Sequence, residues 1–196
     1  MRKYIVKYPS DIDGAIILGT SGQIKSVKPG IGFVNFLAKL RGEHHRSKLV
    51  QAIAFGSYNS RYKSEKSIYS WLTDDPELLA KFNEGPVRNF TLNGYRAMFE
   101  MLLEINGEEW AHTVPTGLPL CIMAGDGDPV GEYGEGVQRV ADALQDAEVY
   151  DLTYRMYPGA RHELCAWSKR KEFFADLLDW IMKTREGVLE DRGVLL

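Results

Sequence analysis

A chain of 196 residues, 44% hydrophobic and 26% charged, can bury a substantial core and has the ordinary composition of a globular protein. Its net charge of -3 and pI near 5.8 leave no electrostatic footprint for nucleic acid, so no nucleic-acid partner is expected. No stretch approaches the roughly 18–20 apolar residues of a membrane span, and Met1 to Tyr8 lacks the apolar core of a signal peptide. The two cysteines, Cys121 and Cys165, make neither a disulfide framework nor a metal site, so a reducing cytoplasm is the expected location.

The first strand signal is Gly14 to Leu18, short, apolar and bounded by Asp13 and Gly19. A stretch of different character follows, residues 23–112. Phe33, Phe36, Leu37 and Leu40 share one helical face within it, and Met98, Met101, Leu102 and Ile105 share another. Pro76 after Asp74 and Asp75 predicts a helix start, since proline is tolerated in a first turn. Adjacent His44 and His45 lack the three- or four-residue spacing of ligands on a helix. Leu118 to Ala124 is a second buried strand, ending in a Gly/Asp cluster. Val137, Val140, Ala141 and Leu144 then mark a helix. Tyr150, Leu152, Tyr154 and Met156 alternate with polar residues as a third strand. Phe174, Leu177, Leu178 and Ile181 mark a last helix, with Ser168 as its expected N-cap and Lys169-Arg170-Lys171 opening a solvated face. This order predicts an α/β fold with a parallel sheet of about three strands and right-handed crossovers. The core is expected in residues 1–22 and 113–196, interrupted by a helical insertion over 23–112.

Two residues carry the chemical expectation. Asp128 lies in Gly125-Asp-Gly-Asp-Pro-Val-Gly131 after the second strand, and His162 in Tyr157-Pro-Gly-Ala-Arg-His-Glu163 after the third. Catalytic groups of parallel sheets gather at the carboxyl ends of strands. One helix and one strand separate these residues, so a single crossover would bring both to the same edge. An acid there can accept the imidazole Nδ1–H, select the tautomer and stabilise the imidazolium, leaving the other nitrogen for a nucleophile. Asp126 competes with Asp128 for the acid role, and spacing does not separate them. The glycines of the acid loop do not make a dinucleotide site, because two carboxylates and Pro129 oppose a pyrophosphate. The acidic pattern also lacks the later oxygen ligands of an EF-hand. Neither a metal nor an organic cofactor is expected.

The acid and base loops resemble those of bacterial α/β-hydrolases of the monoacylglycerol lipase and lysophospholipase-like branch, also described as serine aminopeptidase-like. Phe55-Gly-Ser-Tyr-Asn59 and Trp71-Leu-Thr-Asp-Asp-Pro76 are similar to the cap region of those enzymes. Lys7 to Ala15 is similar to the end of the helix that follows their nucleophile. The resemblance implies a partial α/β-hydrolase fold with a helical cap insertion, Asp128 as triad acid and His162 as base. It also implies a small ester or lipid-like substrate.

The family's G-x-S-x-G nucleophile elbow occurs nowhere in the chain, and the resemblance begins inside the helix after it. Ser21 in Gly19-Thr-Ser-Gly22 and Ser57 in Gly56-Ser-Tyr58 imitate it without the strand–turn–helix context. The expectation is therefore the C-terminal portion of a serine hydrolase, either truncated or split from a separate N-terminal half, with negligible esterase activity alone. Each lost oxyanion donor removes about 2.7–4 kcal/mol of transition-state stabilisation. The first strand would be left with an unpaired apolar edge, open to self-association or to pairing with another chain. A non-catalytic remnant or interaction module that uses this edge is the alternative.

Overall fold

The computed structural model describes residues 1–24, 26–85, 89–105, 107 and 109–191, so the expected end of the core at 196 lies outside them. Three strands form one parallel sheet in the order β1 (Ala15–Leu18), β2 (Leu120–Gly125), β3 (Leu152–Tyr157). Ala15 lies opposite Leu120 and Leu18 opposite Met123, while Leu120 pairs with Leu152 and Gly125 with Tyr157. β2 is buried along its whole length. Side chains alternate across a strand, so Leu120, Ile122 and Ala124 enter one core and Cys121 and Met123 another. A strand covered on both faces reads as an unbroken apolar run, which is why this one stands out in the sequence.

On the first face, α6 (Glu135–Asp146) supplies Val137, Val140, Ala141 and Leu144, joined by Ile5 of α1 (Arg2–Lys7). On the second, Tyr157, Leu164, Trp167 and Phe173 pack with Met123, and the long α7 (Arg170–Asp191) adds Leu177 and Trp180. Each such side chain fully removed from water contributes roughly 1.5–3 kcal/mol before ordering costs are counted. Among the described residues no helix is long and apolar enough to cross a membrane.

Between β1 and β2 lie α2 (Val27–Arg41), α3 (Lys48–Phe55), α4 (Pro76–Glu84) and α5 (Leu92–Glu104). Of these, α2, α3 and α5 share a core of Val34, Val50, Leu92 and Tyr95. Asp75 caps α4 by accepting from the amides of Glu77 and Leu78, and Pro76 takes the first helical position.

Three local expectations are corrected. Ser168 does not cap α7: the helix starts at Arg170, and the Ser168 amide and hydroxyl both donate to the Asp74 carboxylate. On α2, Phe33 and Leu37 pack inward beside Val34, whereas Phe36 and Leu40 are exposed. On α7 the sheet takes Phe173, Leu177 and Trp180, leaving Phe174, Leu178, Ile181 and Met182 exposed. Periodicity finds an apolar stripe, but a stripe wider than its partner surface is only partly covered.

Candidate active site

β2 and β3 end side by side, and the loops that leave them lock together through backbone atoms. The Gly127 amide donates to the Ala160 carbonyl at 2.9 Å, and the Asp126 amide to the Tyr157 carbonyl at 3.3 Å. Asp126 adds a side-chain tie, Oδ1 accepting the Gly159 amide at 2.7 Å. Gly159 has φ +77, a left-handed turn that favours a residue without Cβ.

This framework brings Asp128 and His162 together. Asp128 Oδ2 accepts from His162 Nδ1 at 2.9 Å, and Oδ1 accepts the Val130 amide at 2.8 Å. A carboxylate cannot donate, so the Nδ1 position carries the proton and Nε2 is left as the basic nitrogen. The Asp128 side chain is fully buried, while that of His162 keeps 25% of its surface exposed. Burial alone pulls the imidazole pKa down, but the Asp128 hydrogen bond and charge, with a contribution from Glu163, more than offset it and raise the pKa. Asp126 is turned away, binding the base loop rather than the imidazole, which separates two carboxylates that spacing leaves equivalent.

Three further segments enclose the pair. Gly19, φ +53, follows β1, and a Cβ there would lie 3.1 Å from His162 Nδ1 and Cε1; glycine makes room for the ring. The Trp71 ring lies 5.1 Å from the His162 ring, centroid to centroid, and Tyr58 packs edge-on against Trp71 at 4.9 Å. Burial, and after it the charge of Asp128, push the Tyr58 phenol pKa up, as expected for a hydroxyl near that carboxylate. The His162 amide donates to the Trp71 carbonyl and the Glu163 amide to the Leu72 carbonyl, so Trp71 and Leu72 are tied to the loop that carries His162.

Ser21 is buried, and its carbonyl accepts from the Arg2 guanidinium at 3.1 Å. Ser57 is exposed in the turn after α3. Sequence reasoning passed over Gly19, Tyr58 and Trp71. A glycine directly after an apolar strand is a signal for the first, and the second and third lie in the two segments that resemble a cap region.

A parallel sheet flanked by helices, with an Asp–His pair at adjacent strand ends, defines an α/β-hydrolase. The chain matches the serine aminopeptidase S33 family over residues 1–166 and belongs to that family. Among solved structures it is similar to a thermostable carboxyl esterase from Bacillus coagulans in complex with glycerol, at 28% identity and a TM-score of 0.80. That likeness covers 93% of this chain and 60% of the esterase. It shares its fold with a monoacylglycerol lipase from Paleococcus ferrophilus, at 15% identity, TM-score 0.61, and 93% and 63% coverage. A soluble variant of monoglyceride lipase from Saccharomyces cerevisiae, in complex with a substrate analog, has the same fold at 18% identity, TM-score 0.59, and 93% and 60% coverage. The chain thus spans about 60% of the length of the solved structures it matches. No curated protein matches the sequence.

Proposed function

We propose that this chain supplies the acid, Asp128, and the base, His162, of a serine hydrolase that cleaves carboxylic esters of a lipid-like kind. The observation that carries the reading is the buried Asp128 carboxylate on His162 Nδ1, at the ends of neighbouring parallel strands. In this chemistry the imidazole Nε2 takes the proton of a serine hydroxyl as the serine attacks the ester carbonyl. Asp128 stabilises the resulting imidazolium, which then protonates the departing alcohol; water repeats the sequence to release the acid. The serine and its oxyanion donors come from sequence outside these 196 residues, since no G-x-S-x-G is present. Residues 23–112 act as the cap, with Trp71 and Tyr58 forming an aromatic wall beside the base, suited to an apolar acyl or alcohol group.

Fluorophosphonate labelling with intact-mass detection tests this. The purified chain alone is expected to stay unlabelled. Co-expression with the coding sequence upstream is expected to give one labelled serine on the partner polypeptide, lost with His162→Ala. Labelling of a serine within this chain, lost in the same variant, would sink the proposal that the nucleophile lies elsewhere.

One observation favours a second reading, in which the chain works by pairing with another polypeptide. Leu18 of β1 is 44% exposed, and a groove of about 470 Å³ runs between β1 and α7, lined in part by Ile16, Trp180, Ile181 and Val188. A separate N-terminal half and a second copy of this chain are both occupants of suitable chemistry. An equimolar complex with the upstream polypeptide supports the first, and a homodimer the second.

A further inference from the structure

Arg161 precedes His162 in sequence, and its side chain binds Glu65, Ser70 and Thr73. Only 11% of that side chain is exposed, and both of its terminal nitrogens are engaged. Nη1 and Nη2 reach the two oxygens of Glu65, a fork-on-fork pair. Nη1 also donates to the carbonyls of Ser70 and Thr73, the latter at 2.9 Å. The guanidinium lies 4.0 Å from the centroid of the Tyr62 ring. Tyr62 then donates its hydroxyl to the Gly127 carbonyl at 2.5 Å, within the acid loop.

These contacts close a ring of connections. The two carbonyls held by Arg161 bracket Trp71 and Leu72, whose own carbonyls accept the amides of His162 and Glu163. Trp71 in turn presses its ring on the imidazole. Base loop, residues 62–73 and acid loop are thus joined through one guanidinium and one phenol. Burial opposes the Arg161 charge, but Glu65 more than offsets it, and the same hydrogen bond holds the Glu65 carboxyl below its ordinary range.

We propose that Arg161 is a positioning residue for the Asp128–His162 pair: it locks residues 65–73 onto the base loop, and Tyr62 carries that lock to the acid loop. The inference rests on the reading of Asp128 and His162 as a functional pair. A lysine cannot replace the fork, because a single ammonium cannot pair both oxygens of Glu65 from two nitrogens while also reaching the Ser70 and Thr73 carbonyls.

The test is the titration of His162 followed by NMR in the full chain. There are four histidines, and His162→Gln identifies the signal. Asp128→Asn is expected to lower the His162 midpoint by removing its charge partner. Arg161→Gln is expected to lower it comparably, and Arg161→Lys to fail to restore it. The sign is diagnostic: deleting a neighbouring positive charge without moving the ring would raise the midpoint, not lower it. Tyr62→Phe, a neutral and milder change, is expected to produce a smaller fall, and it carries the test if Arg161→Gln does not fold. A loss of thermal stability with the midpoint unchanged in Arg161→Gln and Tyr62→Phe would reduce the lock to packing and overturn the proposal. Full rescue by lysine would also overturn it. If Asp128→Asn itself leaves the midpoint in place, the pair reading falls and the positioning role falls with it.

Discussion

Gly125 and Ala160 meet backbone to backbone: a Cβ added to Gly125 would stand 2.0 Å from the Ala160 carbonyl oxygen and 2.8 Å from that of Arg161. This contact, where β2 becomes the acid loop, sets how closely the base loop approaches. Neither carbonyl can yield as the tip of a flexible side chain would. Gly125→Ala is expected to destabilise the chain by at least about 1–3 kcal/mol, the usual range for overpacking. It should also pull His162 from Asp128. Gly32→Ala, in α2 with nothing within 4 Å of the added methyl, is expected to stabilise by about 0.5–1 kcal/mol. Urea unfolding of the two variants measures both, and equal effects would contradict the packing argument.

The raised pKa of His162 couples its ion pair to folding. The folded chain holds the imidazole proton more tightly than the unfolded chain does. The stabilisation is therefore fully present below the unfolded imidazole pKa and is lost as pH rises through the folded value. The difference in urea midpoint between the native chain and His162→Gln should fall over that interval and be flat above it. A difference that grows with rising pH would reverse the assignment.

Asp126 and Asp128 are expected to behave differently despite lying two positions apart. Asp126→Asn keeps an oxygen for the Gly159 amide, so stability should stay within about 0.5 kcal/mol and the His162 titration should not move. Asp128→Asn should lower the His162 midpoint and weaken the fold, because a buried charge partner is removed. Equal effects on the titration would mean that the acid has been misassigned.

Leu18 at the sheet edge and Leu178 on α7, 44% and 60% exposed, are expected to drive concentration-dependent association of the isolated chain. Leu18→Lys combined with Leu178→Lys should shift sedimentation towards the monomer. A native chain that stays monomeric over the accessible concentration range would remove this expectation.

The strands and most helices were legible because their signals are local. β2 is an unbroken apolar run, β3 alternates, and α6 repeats at helical spacing, and each holds in the folded chain within a residue or two. Asp128 and His162 were legible through strand-end logic and the resemblance of their loops. The Arg161–Glu65 pair was not, because 96 positions separate its members and no local pattern announces such a contact. The buried side of α7 was missed for a related reason. Its apolar stripe is broad, and only the position of the sheet selects Phe173, Leu177 and Trp180 over Phe174, Leu178 and Ile181.

By itself the sequence determined the α/β class, the succession of elements, and an imidazole with two candidate carboxylates, Asp126 and Asp128, at strand ends. All of these follow from periodicity and from residue types at strand ends. Tertiary structure placed Asp128 on the imidazole and Asp126 on the Gly159 amide, which spacing could not separate, and it alone decided how residues 58–73 clasp both loops. Those outcomes depend on backbone contacts between segments far apart in sequence, such as Gly125 against Ala160 and Trp71 against His162, which exist only once the chain has closed on itself.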